Sequence, residues 1–218
     1  MAWKRALFII VTLLLGFGVL AFYWKIIRTT QGPTTRDDAG KTAPARHLEA
    51  PQVSFVDPSI GPKDAKVVIV EFGDYLCPFC RDTGLAVDKL LSQRPNDIRF
   101  VWKHDPSPLH AGAEHAAEAA MCADKQGAFW KYHRQLLERQ ATYDDTALSL
   151  AASDLSLEVG AFTDCLVKHD TKPLVDRTVE EGQALGIQSL PTFFINGKRH
   201  EGEMTYDELV QAVDAASK

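Results

Sequence analysis

Two cysteines separated by two residues, Cys77-Pro78-Phe79-Cys80, can close a small disulfide ring and open it again by thiol exchange. That chemistry needs one sulfur easily made a thiolate and a second held close behind it. An apolar, β-branched run, Lys66–Phe72 (KVVIVEF), precedes the pair, and Leu85, Val87, Leu90 and Leu91 follow at roughly helical spacing. The pair therefore stands where a strand turns into a helix. Cys77 meets the unpaired N–H groups and the positive end of the helix dipole, which favour its thiolate. Pro78 suits the first helical turn, where its missing N–H is not needed. Cys80 falls one turn in and is less accessible. A stabilised thiolate favours the reduced pair and makes the disulfide more oxidising. Zinc would require a second close pair of ligands, and the remaining cysteines, Cys122 and Cys165, are far apart in the chain. No metal and no cofactor beyond the two sulfurs is expected.

Glu71 lies inside the apolar run, ahead of Cys77. A buried carboxylate costs several kcal/mol unless it is paired or protonated. Glu71 reads either as a proton donor or acceptor for Cys80 with a raised pKa, or as a strand-end residue reaching water. Leu190-Pro191 precedes the strand-like Thr192–Ile195. A proline there admits a cis peptide, which would bring Pro191 beside the cysteines and open the backbone of Leu190 to pair with a substrate chain. Pro78, Phe79 and Leu190 would line an apolar patch for unfolded substrates. His110 and His115, five residues apart, share no helix face and read as surface or packing histidines. His104 is a candidate edge of the site, and Phe129, Trp130 and Tyr132 read as packing.

The elements that must position these residues follow from pattern. Gln52–Val56 alternates as a short edge strand would, and Ile98–Trp102 reads as a strand. Helices are expected from His110 to Ala123, around Phe129–Leu137, and over Ala147–Leu155 and Leu157–Lys168, with Asp145 and Ser156 as N-caps. Leu174–Leu185 is a further helix. Asn196-Gly197 signals a hairpin returning through Lys198–Glu201, and Thr205-Tyr206-Asp207-Glu208 has the capping-box spacing that opens a last helix. Strands interrupted by a run of helices predict an α/β fold with a mixed sheet covered on both faces.

Ala6–Trp24 carries no formal charge and spans roughly 28 Å as a helix, close to the hydrocarbon thickness of a bilayer. It reads as an uncleaved single-pass anchor, residues 1–28, followed by a flexible Gly/Pro/Ala/Thr tether, residues 29–51. Lys4 and Arg5 flank it on one side and Lys25, Arg28, Arg36 and Lys41 on the other. The charge count alone would favour a cytoplasmic body, a rule that weakens for long translocated domains. The chain of 218 residues carries 24 basic and 29 acidic side chains, a net charge of −5, with no acid in its first 30 residues. The acidic body repels phosphate, so nucleic acid is not an expected partner.

Val70–Tyr75 leading into Cys77–Cys80, Ala116–Ala123 followed by Gln126–Trp130, and Leu190–Gly197 together resemble the DsbA-type thiol–disulfide oxidoreductases of the thioredoxin superfamily. The resemblance covers residues 52–218. It implies a thioredoxin fold with a helical domain inserted at about residues 106–178, preceded here by one transmembrane helix. It implies a cis Pro191, Glu71 as the buried acid, and a body on the periplasmic or extracytoplasmic side of the cytoplasmic membrane. It also implies reduced or unfolded exported proteins as substrates and a membrane, DsbB-like partner as reoxidant. The likeness is closer to single-domain members than to the dimeric isomerases, so a monomer is expected. The departure is Phe79: strong oxidants of the family carry histidine there, and phenylalanine donates no hydrogen bond to the thiolate. Cys122 and Cys165, both on expected helices, are either a structural disulfide or two buried thiols. A bridge closing a loop of that length would contribute about 4 kcal/mol on the chain-entropy model. The functional expectation is a dithiol oxidase. The competing readings are a reductase or isomerase using the same site, and a tethered peptide-binding (holdase) module.

Overall fold

A computed structural model of the chain describes Lys25, residues 48–140 and residues 143–218. Apart from Lys25, the expected anchor lies outside the described residues, as does most of the tether. Among the described residues no helix is long and apolar enough to cross a membrane. The elements that hold the cysteine pair all belong to the unit Arg46–Lys218.

They run β1 (Ser59–Ile60), β2 (Val67–Gly73), α1 (Pro78–Gln93), β3 (Ile98–His104), α2 (Ala113–Asp124), α3 (Phe129–Arg139), α4 (Asp145–Asp154), α5 (Val159–Val167), α6 (Lys172–Ala184), β4 (Thr192–Ile195), β5 (Lys198–Glu201) and α7 (Tyr206–Ala216). The five strands form one sheet in the order β1-β3-β2-β4-β5. Only β2 and β3 are parallel. Central β2 is buried along nearly its whole length, as its continuous apolar run requires. Strand alternation sends Val67 and Ile69 into the larger core with Val87, Leu90, Leu209 and Val213 of α1 and α7. Val70 and Phe72 point the other way, into a smaller core with Val101, Leu185 and Phe194. Glu71 shares the face of Val67 and Ile69, and so points toward α1.

Local signals place the termini of several elements. Thr205 and Glu208 complete a capping box at α7. Asn196 and Gly197 both take positive φ, 47° and 81°, as a two-residue hairpin turn demands. Two expected caps are corrected. Asp144 caps α4 through the Ala147 N–H, and Glu158 caps α5, whereas Ser156 lies in a left-handed turn between the helices. The helix expected from His110 begins at Ala113, leaving His110 in the preceding turn.

The expected strand Gln52–Val56 is absent, and the sheet edge is taken by β1 instead. Alternation misleads there because its apolar residues bury little: Phe55 is 98% exposed. A buried lysine captures the segment. Lys103 Nζ donates to the Gln52 carbonyl (2.7 Å), Asp57 Oδ2 (3.0 Å) and Glu181 Oε2 (2.7 Å). Burial would push the Asp57 carboxyl up, but the Ser54 N–H, Lys103 and Arg177 together hold it below the usual range.

Gly73 ends β2 against the ring of Trp102, and a Cβ added there would lie 2.3 Å from it. Trp102 is fully buried and stacks on Tyr75, so it has nowhere to move. Gly73→Ala is expected to destabilise the fold by about 2 kcal/mol, read as a lower urea midpoint at unchanged slope.

Candidate functional site

The turn from β2 into α1 sets the two sulfurs in unlike places. Cys77 is the N-cap of α1, with Pro78 in the first turn and no side chain capping the exposed N–H groups. Cys80, one turn later, is wholly buried, and both thiols are free. The Cys80 thiol donates to the Cys77 sulfur, and the N–H groups of Cys80 and Phe79 add to it. Against partial burial and the nearby Asp74 charge, these bonds bring Cys77 down to about 6. The same hydrogen bond, with burial and the Glu71 charge behind it, pushes Cys80 far above the ordinary thiol range. One sulfur is biased toward thiolate, the other toward thiol.

Behind them Glu71 pairs across the sheet with Trp102 on one side and Phe193 on the other, both fully buried. Neither carboxylate oxygen has a hydrogen-bond partner among the described residues. Burial chiefly, then the Cys77 and Asp88 charges, raise its pKa well above the ordinary value. The reading of Glu71 as a strand-end residue reaching water is corrected: its side chain is inside.

From the other wall comes the Leu190–Pro191 peptide, which is cis. The Cys77 sulfur lies 3.7 Å from the Leu190 carbonyl oxygen. Strand β4 starts at Thr192, whose hydroxyl donates to the Ser189 carbonyl, and the Pro191 carbonyl accepts from the Gly202 N–H. An open cleft of about 510 Å³ runs between the walls, lined by Cys77, Pro78, Phe79, Leu190, Pro106 and His110 among others. Phe79 is half-exposed at its rim. The structure thus gathers Cys77, Pro78, Phe79 and Leu190 around one opening, with Cys80 buried behind Cys77, Pro191 following Leu190 in the cis peptide, and Glu71 behind the sulfurs. Cys122 and Cys165 stand apart, joined to each other by a disulfide between α2 and α5.

The residues that brace this opening carry no local motif. Gln140, at the end of α3, donates through Nε2 to the carbonyls of Cys77 (2.8 Å) and Tyr75 (3.2 Å). His133, also on α3, bonds the Tyr75 hydroxyl and packs edge-on to Trp102. Burial holds His133 and His104 neutral, at about 3. His104 bonds the Trp102 indole within this aromatic stack rather than edging the cleft. Asp74, fully buried, accepts from the Leu76 and Ser107 N–H groups and meets His110, so His110 belongs to the cleft rather than to the packing. Only the spatial return of the chain could have found these. No cluster of three or more potential metal ligands occurs among the described residues.

A thioredoxin family model matches residues 54–215. A thioredoxin-like oxidoreductase from Silicibacter pomeroyi DSS-3 superposes with a TM-score of 0.68 at 26% identity, covering 75% of this chain and 93% of that one. Oxidised BdbD from Bacillus subtilis gives 0.68 at 25% identity, covering 77% and 97%. The Na(+)/H(+) antiporter NhaA 1 of Salinispora arenicola is 38% identical over 157 residues, which is 72% of this chain and 24% of the antiporter. The chain thus spans about a quarter of the length of that curated relative.

Two outcomes follow from the split environment. Alkylation of Cys77 in the reduced protein is expected to rise with pH around a midpoint near 6, and Cys80→Ala to move that midpoint up by removing the largest stabilising bond. Because the folded value lies below the unfolded one, the thiolate stabilises the reduced fold fully above the unfolded thiol range and loses that contribution as pH falls through about 6. For Glu71 the sign is opposite: its raised pKa makes its ionisation a cost that grows as pH rises above the unfolded carboxyl value. Glu71→Gln is therefore expected to raise the melting temperature at pH 8, and to raise it less near pH 4, in calorimetric scans at both pH values.

Proposed function

From the premise that the chain belongs to the thioredoxin superfamily as a DsbA-type thiol–disulfide oxidoreductase, we propose that it is a dithiol oxidase acting on exported proteins through Cys77 and Cys80. A substrate thiolate attacks Cys77 of the oxidised pair. The Cys77–Cys80 bond breaks, the substrate–Cys77 bond forms, and Cys80 leaves and takes up a proton. A second substrate thiolate then attacks the substrate sulfur of this mixed disulfide and expels Cys77 as its thiolate. Two electrons pass to the cysteine pair and one disulfide appears in the substrate. The observation that carries the reading is the unlike placement of the two sulfurs, Cys77 at the uncapped N-terminus of α1 and Cys80 fully buried one turn inside it, which biases the first toward thiolate and the second toward thiol.

Glu71 has the placement of a proton relay to Cys80: it is buried behind the pair and electrostatically coupled to both sulfurs. The Leu190 N–H makes no backbone bond among the described residues, which leaves it open to pair with an extended substrate segment. Pro78, Phe79 and Leu190 supply apolar contact beside it. In this reading residues 6–24 anchor the chain in the cytoplasmic membrane, the tether carries the body on the extracytoplasmic side, and a membrane DsbB-like partner returns the pair to the disulfide. Phe79 is the observation that favours a second reading, a reductase or isomerase, because it lends the thiolate no side-chain donor.

Equilibrating the purified full chain against glutathione buffers, with Cys122 and Cys165 followed separately by mass, decides between the two. A reduction potential near about −120 mV, the range of DsbA, is the expected result, and one near about −270 mV, that of thioredoxin, overturns the oxidase reading. Cys77→Ser is expected to abolish oxidation of a reduced model protein.

A further inference from the structure

His110 lines the cleft from the turn before α2. Its Nδ1 lies 2.6 Å from Asp74 Oδ2. The Asp74 side chain is fully buried while that of His110 is 35% exposed, so the pair links the interior of the turn to the open cleft. Asp74 is also bound into the redox turn by its backbone. Its carbonyl accepts from the Cys77 N–H at 3.2 Å, and its own N–H points at the Cys80 sulfur at 3.5 Å. With Nδ1 donating to Asp74, His110 Nε2 bonds to no described residue and faces the opening.

We propose that His110 is a positioning residue for thiol exchange at Cys77: as an imidazolium it neutralises Asp74, and so favours the thiolate that Phe79 cannot assist. The inference rests on the reading of Cys77 as the exchanging thiol. Asp74 is a negative charge that opposes the Cys77 thiolate, so a cation held on that carboxylate removes the opposition without touching sulfur. Histidine is the side chain that supplies such a cation reversibly near neutral pH.

Other ionisable groups share the cleft with His110. Cys77 comes from α1, and Asp105 from the end of β3. Burial, then the Asp74 charge, raise Asp105 to about 6, so it too gains charge as the pH approaches neutrality. Glu114 of α2 and Lys172 and Asp176 of α6 line the adjoining groove. Lys172 bonds both acids of that groove, leaving the trio with one net negative charge.

The test is the pH profile of iodoacetamide alkylation of Cys77 in the reduced full chain, with His110→Gln, His110→Lys, Asp74→Asn and the double variant His110→Gln/Asp74→Asn. Glutamine keeps a donor for Asp74 but never a charge. It is expected to slow alkylation about twofold at pH 6, equivalent to about half a pKa unit at a sulfur whose midpoint lies near 6. Lysine keeps the charge, and is expected to restore the wild-type rate at pH 6, while at pH 8 all three proteins coincide because the thiol is already ionised. With Asp74→Asn in place, the effect of His110→Gln should vanish, because no carboxylate remains to be neutralised. Coincident profiles for wild type and His110→Gln overturn the proposal. So does a His110→Gln effect of equal size with and without Asp74, which would make the role structural. A wild-type Cys77 that titrates as an ordinary thiol overturns this proposal and the thiol-exchange reading together, whereas coincident profiles with a low midpoint leave the latter standing.

Discussion

A sulfur at the first position of a helix and a sulfur one turn inside it experience opposite environments, and the rest of this molecule maintains that opposition. Cys77 meets unpaired N–H groups and the dipole of α1. Cys80 meets the core and, behind it, the uncompensated carboxyl of Glu71. The hydrogen bond between them transmits the difference, lowering one pKa and raising the other. Moving either cysteine by one residue would remove the contrast, because helix geometry sets which groups each sulfur can reach.

Glu71 shows how the sheet enforces this. A carboxyl group flanked across the sheet by Trp102 and Phe193, without a hydrogen-bond partner among the described residues, costs stability, and it stands where the proposed proton relay would use it. Strand register sends it toward α1, while Phe72 and Val70 fill the opposite core. The buried Lys103 beside Phe72 in register takes the reverse course. It is satisfied by Asp57, Glu181 and a backbone carbonyl, and holds the entering chain against α6.

The helices between β3 and β4 do more than cover the sheet. Gln140 and His133 of the α3 region reach back to Cys77 and Tyr75, and the turn before α2 presents His110 to Asp74. The turn that carries the cysteines is thus held from the helical side by an amide, an aromatic stack and the His110–Asp74 contact, while the cis Leu190–Pro191 peptide closes the remaining wall. Three separate segments line the opening over Cys77, with Phe79 and Leu190 as apolar groups and His110 and Asp105 as ionisable ones.

What could be read along the chain was whatever a window of a dozen residues encodes. The apolar β2 run, the Cys77–Cys80 pair at its end, the Asn196-Gly197 hairpin and the capping box of α7 are all local, and each follows from φ/ψ preference, hydrophobic period or the needs of helix ends. The alternating Gln52–Val56 had the same local signature as a strand and is none, because Lys103, 51 residues on, captures its backbone carbonyl. His110 and Asp74, 36 residues apart, and Gln140 and Cys77, 63 apart, become partners only when the sheet and helices pack. Residue identity and spacing determined which groups could do chemistry. Packing alone determined which buried charge faces which sulfur, because desolvation and Coulomb interaction depend on distance in space and not along the chain.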